Sequence, residues 1–306
     1  MHPDQVKRAV GKGLLAFPVT HFGADGAFDE TAYRANIEAN LAHGPAALFV
    51  AGGTGEFFSL TLDECRRIVA AAVAVAAGRV PIIAGIGYGT AMAVEFARAA
   101  EASGADGVLV LPPYLVKAEQ EGLFRHLDAI CRATALAVIP YNRDNCLLVP
   151  ETLARLAERH ENLIGFKDGH GDVEQLVAIR QALGDRVAYV GGMPTAEIFA
   201  VPYFAAGFTT YSSAVFNFIP RIALRFYAAV RAGDRATTDD LLRRFFLPYI
   251  ALRNRRRGYA VSIVKAGMRI VGRPAGPVRA PLVDLTAAEE GELRGLLTAA
   301  FGDQIG

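Results

Sequence analysis

Short runs of aliphatic and β-branched residues recur along the chain, and each is followed by a longer stretch whose apolar positions fall at helical spacing. Such alternation is the pattern of parallel βαβ units. Eight runs predict strands at Gly13 to Thr20, Ala47 to Ala51, Val80 to Gly87, Gly107 to Leu111, Leu136 to Asn142, Leu163 to Asp168, Arg186 to Gly192 and Phe208 to Ser213. The runs are nearly continuous in apolar character, so both faces of the sheet are expected to be buried. Helices are predicted in the gaps, for example Thr61 to Ala77 and Asp172 to Leu183, the latter with Asp172 as N-cap. Eight repeats favour a closed (β/α)8 TIM barrel of the α/β class over an open doubly wound sheet. The barrel strands and interleaved helices are expected over residues 1–217. Residues 218–306 are longer than one closing helix needs, and predict a closing helix followed by a C-terminal helical extension that caps the barrel or builds an oligomer contact.

Composition narrows the classes without choosing among them. The 306 residues are 52% hydrophobic and 21% charged with a formal net charge of +1, which describes a globular protein with ample core and no electrostatic footprint for nucleic acid. The basic cluster Arg253, Arg255, Arg256 and Arg257 reads as a solvated helix end or a subunit contact. Cys65, Cys131 and Cys146 are odd in number and lack paired spacing; neither a disulfide framework nor a thiolate metal site is implied, and a reducing cytoplasm is the expected compartment. No signal pattern opens the chain, and the alanine-rich stretch Ile68 to Ala77 is too short to span a bilayer. No membrane role is expected. The six histidines show no paired-ligand spacing, so no metal and no other cofactor is expected.

In a barrel of this kind the chemistry gathers at the C-terminal ends of the strands. Lys167 ends the apolar run of strand six. A free lysine has a pKa of about 10.4, which leaves roughly one amine in a few thousand neutral at pH 7, whereas burial at a strand end can lower that value and make the amine a Schiff-base nucleophile. A surface ion pair with Asp168 is the alternative. Tyr141 closes strand five and should lie beside the amine, where a phenol can shuttle protons or simply pack. Arg143, two residues on, suits a second carboxylate unless it is solvated. The turn Gly52-Gly53-Thr54-Gly55-Glu56 offers backbone N–H groups and the Thr54 hydroxyl to an anion, although such a turn also serves as a plain tight connection. Gly192 ends strand seven, and Ser212 and Ser213 end strand eight. Lys265, the rival amine, has a helical context that suits packing against the barrel, and Glu56 suits the helix N-terminus or a structural hydrogen bond rather than general-base work.

At these positions the chain resembles the dihydrodipicolinate synthase and N-acetylneuraminate lyase superfamily of Schiff-base barrels, through GGTGE (Gly52 to Glu56), PYN (Pro140 to Asn142) and GFKD (Gly165 to Asp168). The resemblance implies that Lys167 is the Schiff-base lysine, Tyr141 the proton-transferring tyrosine, and Gly53-Thr54 the holder of a 2-oxo acid carboxylate, with Ser212 lining the same pocket. Three departures disfavour lysine biosynthesis. Gly53 stands where the synthase has a relay threonine, Cys146 falls near its substrate-binding arginine, and Arg143 adds a guanidinium that the synthase lacks. The longer runs GGTGEFFSL, PYNRDN, FKDGHGD and GGMPTAE are similar to the 5-dehydro-4-deoxyglucarate dehydratase branch, which removes water and carbon dioxide to leave 2,5-dioxopentanoate in D-glucarate catabolism. For such a substrate Asn142 or Arg143 is expected to orient the distal end, and Ser212 or Ser213 to assist the departing hydroxyl. A Schiff-base aldolase releasing pyruvate and a non-catalytic binding barrel are the other readings. The resemblance also implies a homotetramer, with Tyr114 near a neighbouring active site.

Overall fold

A computed structural model describes residues 1–302; residues 303–306 of the expected extension lie outside the described residues. Eight parallel strands close on themselves in sequence order. They are β1 (Leu15–Ala16), β2 (Ala47–Val50), β3 (Ile82–Ile86), β4 (Gly107–Val110), β5 (Ala137–Asn142), β6 (Gly165–Asp168), β7 (Ala188–Gly191) and β8 (Thr210–Ser213). Helices separate the strands, and the predicted TIM barrel is therefore the observed one. Phe49, Ile83, Leu109 and Ile139 fill the barrel interior, while Leu48, Val50, Ile82 and Val138 pack outward against the helices. This two-sided burial is why the strands read as unbroken apolar runs.

Local chemistry sets the element ends. Helix Leu62–Ala76 starts at a capping box between Thr61 and Glu64, and Asp172 caps helix Val173–Leu183 through the Gln175 N–H. β1 is shorter than the predicted Gly13 to Thr20 because the Asn217 side chain takes over beyond it, donating to Phe17 O at 2.9 Å and accepting from Val19 N at 3.2 Å. Pro140 lacks an N–H, and the β5–β6 ladder resumes only at the pair Tyr141 and Lys167.

Two regions add to the sequence picture. The N-terminal segment is a helix, Pro3–Val10, whose buried Val6 and Val10 join the cluster that fills the barrel interior. With Val6, Ala9 and Val10 as its only hydrophobic residues, its pattern reads as a polar lead. After β8 the chain forms helices Pro220–Ala232, Arg235–Leu241, Leu247–Arg253, Tyr259–Ile270 and Ala287–Phe301. Residues between 249 and 282 of this extension reach the mouth of the barrel and line its cavity. Among the described residues no helix is long and apolar enough to cross a membrane.

Candidate active site

The cavity at the C-terminal ends of the strands has a volume of about 330 Å³ and is lined by Lys167, Tyr141, Arg143, Gly53, Thr54, Gly192 and Ser212 among others. Strand alternation explains which side chains enter it. In β6 Phe166 packs outward and Lys167 turns inward, so the amine arrives in the barrel centre at only 5% exposure. Its Nζ lies 4.0 Å from the centroid of the Tyr141 ring and 4.3 Å from that of Phe17. Among the described residues it joins no ion pair and donates no hydrogen bond. Burial, reinforced by the Arg143 charge and opposed by Asp168, holds its pKa down to about 7. The surface ion pair with Asp168 is absent. Asp168 is fully buried on the far side of the strand, where it accepts from Tyr203 Oη at 2.7 Å, His170 N at 3.1 Å and Gly171 N at 3.0 Å.

Gly192 makes room for this arrangement. A Cβ there would stand 2.6 Å from Lys167 Cε and would meet the Asp168 carbonyl as well. Its own carbonyl accepts the Tyr141 hydroxyl at 2.6 Å, and Arg143 Nη1 donates to the same phenol oxygen at 3.2 Å. Burial raises the Tyr141 pKa against the lowering effect of Arg143, so the group stands as a neutral phenol beside the amine. Arg143 also donates from Nε to Asp144 at 3.1 Å. Across the barrel, the N–H groups of Gly53 and Thr54 meet no protein acceptor among the described residues. The turn that carries them is anchored by Glu56, a non-glycine residue at φ 59°. Its carboxylate pairs with Lys265 at 2.7 Å, both side chains at 0% exposure, and accepts from Arg279 N at 2.8 Å.

Two residues expected to contact substrate do not line the cavity. Asn142 is fully buried outside the cavity, with its amide bonded to Gln175 Oε1 at 2.9 Å and to Leu148 N at 2.8 Å. Ser213 is likewise buried and donates to Glu197 Oε1 at 2.6 Å, a carboxyl that burial pushes up to about 7. Each follows an inward residue, Tyr141 or Ser212, and strand alternation turns it outward. Conversely Phe17, Thr195, Tyr249 and Arg253 line the cavity although the sequence reading did not assign them there. Arg253 belongs to the basic cluster that reads as a solvated helix end or a subunit contact; its position depends on packing between remote segments, for which no local pattern exists.

Residues 11–300 match the profile of the Dihydrodipicolinate synthetase family. A protein of Ralstonia nicotianae named probable 5-dehydro-4-deoxyglucarate dehydratase is 60% identical over 295 residues, covering 96% of this chain and 95% of that one. A Methylobacterium radiotolerans protein of the same name is 60% identical over 304 residues and covers 99% of each chain. Among solved structures, dihydrodipicolinate synthase from Oceanobacillus iheyensis superposes with a TM-score of 0.89 at 26% identity, covering 97% of this chain and 98% of that one. A prophage protein of the dihydrodipicolinic acid synthase family from E. coli K12, solved in complex with pyruvate, gives 0.84 at 26% identity over 94% of this chain and 98% of that one.

Proposed function

The chain belongs to the Dihydrodipicolinate synthetase family, and from that premise we propose that it is a decarboxylating hydro-lyase that converts 5-dehydro-4-deoxy-D-glucarate to 2,5-dioxopentanoate, water and carbon dioxide. The observation that carries the reading is the buried, unpaired Lys167 amine beside Tyr141, in a chain 60% identical to proteins named for this dehydratase.

Numbering from the carboxylate next to the ketone, the Lys167 amine attacks C2 and water leaves, giving an iminium that acidifies C3. Loss of a C3 proton forms the enamine, which expels the C4 hydroxyl as water once protonated. The conjugated iminium then accepts the electron pair of the C5–C6 bond as the distal carboxylate departs as carbon dioxide. The resulting dienamine carries an enol at C5; protonation and tautomerisation give the aldehyde, and hydrolysis frees the product and the amine. Tyr141 is the proposed proton carrier, its hydroxyl exchanging the Gly192 carbonyl for the substrate. Gly53 and Thr54 hold the C1 carboxylate through their free N–H groups, Arg143 faces the distal end, and Ser212 assists the departing hydroxyl. Cytoplasmic location and a homotetrameric assembly complete the proposal; the three cysteines, all free and buried, suit a reducing compartment.

The test is a mass spectrum after incubation with 5-dehydro-4-deoxyglucarate and borohydride, run beside assays for carbon dioxide and pyruvate. An adduct on Lys167 with carbon dioxide and without pyruvate is expected. Pyruvate release would move the assignment to an aldolase, and absence of an adduct would remove the Schiff-base mechanism for this substrate.

A further inference from the structure

Arg253 ends helix Leu247–Arg253 and lines the cavity from the C-terminal extension. A guanidinium has five N–H donors, and here neutral acceptors take four of them. Nη1 donates to Pro194 O and to Thr195 Oγ1, each at 2.7 Å, while Nε at 3.1 Å and Nη2 at 2.9 Å share Asn254 Oδ1. The fork is thus rigid, and one Nη2–H is unfilled. Among the described residues no carboxylate pairs with it, whereas Arg143 has Asp144. The acid whose field reaches it, Glu197, is buried and drawn toward its neutral form. Arg143 and Arg253 therefore present two cations to one cavity, with the Arg143 charge disfavouring that of Arg253, an arrangement that an anion between them would relieve.

We propose that Arg253 is the specificity residue for the far end of the substrate, receiving a second carboxylate so that the cavity selects six-carbon 2-oxo diacids over 2-oxo acids with an uncharged terminus. This rests on Lys167 as the imine-forming residue. Arg253 is tied to the segment after β7, and the free N–H groups of Gly53 and Thr54 follow β2, three strands away around the closed barrel. The two anion-holding groups thus flank the lysine of β6 from different sides, as the two ends of a diacid require. A single free N–H also suits the chemistry. A bidentate grip would stabilise the ground-state carboxylate that must depart, and binding lost on the way to the transition state slows the reaction.

The test uses 2-oxoadipate and 2-oxohexanoate, which match in length, differ in the terminal group and carry no hydroxyl to eliminate. Calorimetric affinities are measured for the native protein and for Arg253→Gln and Arg253→Lys, with borohydride trapping on Lys167 beside each. The native protein is expected to prefer the diacid by on the order of tenfold or more. Arg253→Gln should bring the two ligands near parity while affinity for 2-oxohexanoate is kept, and Arg253→Lys should retain part of the preference. Native parity, a preference that survives Arg253→Gln, or equal weakening of both ligands through a collapsed wall would each overturn the proposal. Should the diacid preference appear and vanish with Arg253 while neither acid is trapped on Lys167, the charge-reading role stands and the imine reading fails.

Discussion

Lys167 works as a nucleophile only to the extent that its amine is neutral, and burial brings its pKa to about 7 from an ordinary 10.5. The acid limb of kcat/KM against pH is accordingly expected near 7, since that profile reports the free enzyme. Arg143→Gln removes a neighbouring cation that disfavours the ammonium, so the limb should move to higher pH; an unmoved or lowered limb would contradict the assignment. The same burial has a cost in stability. The folded pKa lies below the unfolded one, so the penalty for a buried ammonium, on the order of 4 kcal/mol, is fully present below pH 7 and fades as pH rises from about 7 to 10.5. Lys167→Met should therefore raise the thermal midpoint at pH 6 and raise it less at pH 9, while abolishing the borohydride adduct. Gly192→Ala is the complementary case. Its Cβ would stand 2.6 Å from Lys167 Cε, and a displacement of the amine by about 1 Å is expected to lower kcat about a hundredfold. Most of these residues are legible as strand-end motifs because neighbours in sequence carry them. Asn142 and Ser213 face away from the cavity for a physical reason that is itself legible: a residue adjacent to an inward side chain in a strand faces outward.

At the scale of elements, the buried pair of Glu56 and Lys265 links the turn after β2 to helix Tyr259–Ile270. Lys265 also donates to Pro277 O at 2.8 Å, and Arg279 N reaches the other oxygen of Glu56. The extension thus fixes the turn whose free N–H groups are proposed to hold the C1 carboxylate. Removing one partner leaves a buried charge alone, so Lys265→Met is expected to destabilise by about 3–5 kcal/mol, read from denaturant unfolding. Pairing it with Glu56→Gln should recover part of that loss, because the orphaned charge is gone. Independent, additive losses would mean that the pair is not coupled. The sequence pattern suits Lys265 to packing through its helical context and Glu56 to a structural role at the end of a glycine-rich turn, but contact between residues so far apart in sequence leaves no local trace. The same limit hid Arg253 and Thr195 in the cavity wall. The helix Pro3–Val10 shows no readable period, because its two buried positions, Val6 and Val10, are too few to register one.

For the molecule as a whole, strand number, order and closure were readable because each βα unit repeats the same burial pattern, whereas assembly depends on surfaces that carry no period. The loop after β4 supplies a physical handle on it. Leu111 and Pro112 line the cavity, and the next apolar residues, Tyr114, Leu115 and Val116, are 68%, 76% and 60% exposed. Leu115 also adopts φ 65°, a left-handed conformation that costs a non-glycine residue energy unless its surroundings hold it. Contact with another protomer of the proposed homotetramer would cover these side chains and, through Pro112, steady the cavity wall. Light scattering is expected to report four protomers for the native chain and a smaller species for Leu115→Glu, because a carboxylate in a covered apolar contact must be desolvated. The variant should also show a higher KM, since the wall would lose its support. A native monomer, or a Leu115→Glu variant that keeps both assembly and KM, would exclude this loop from the contact and return the proposed tetramer to the other faces of the barrel.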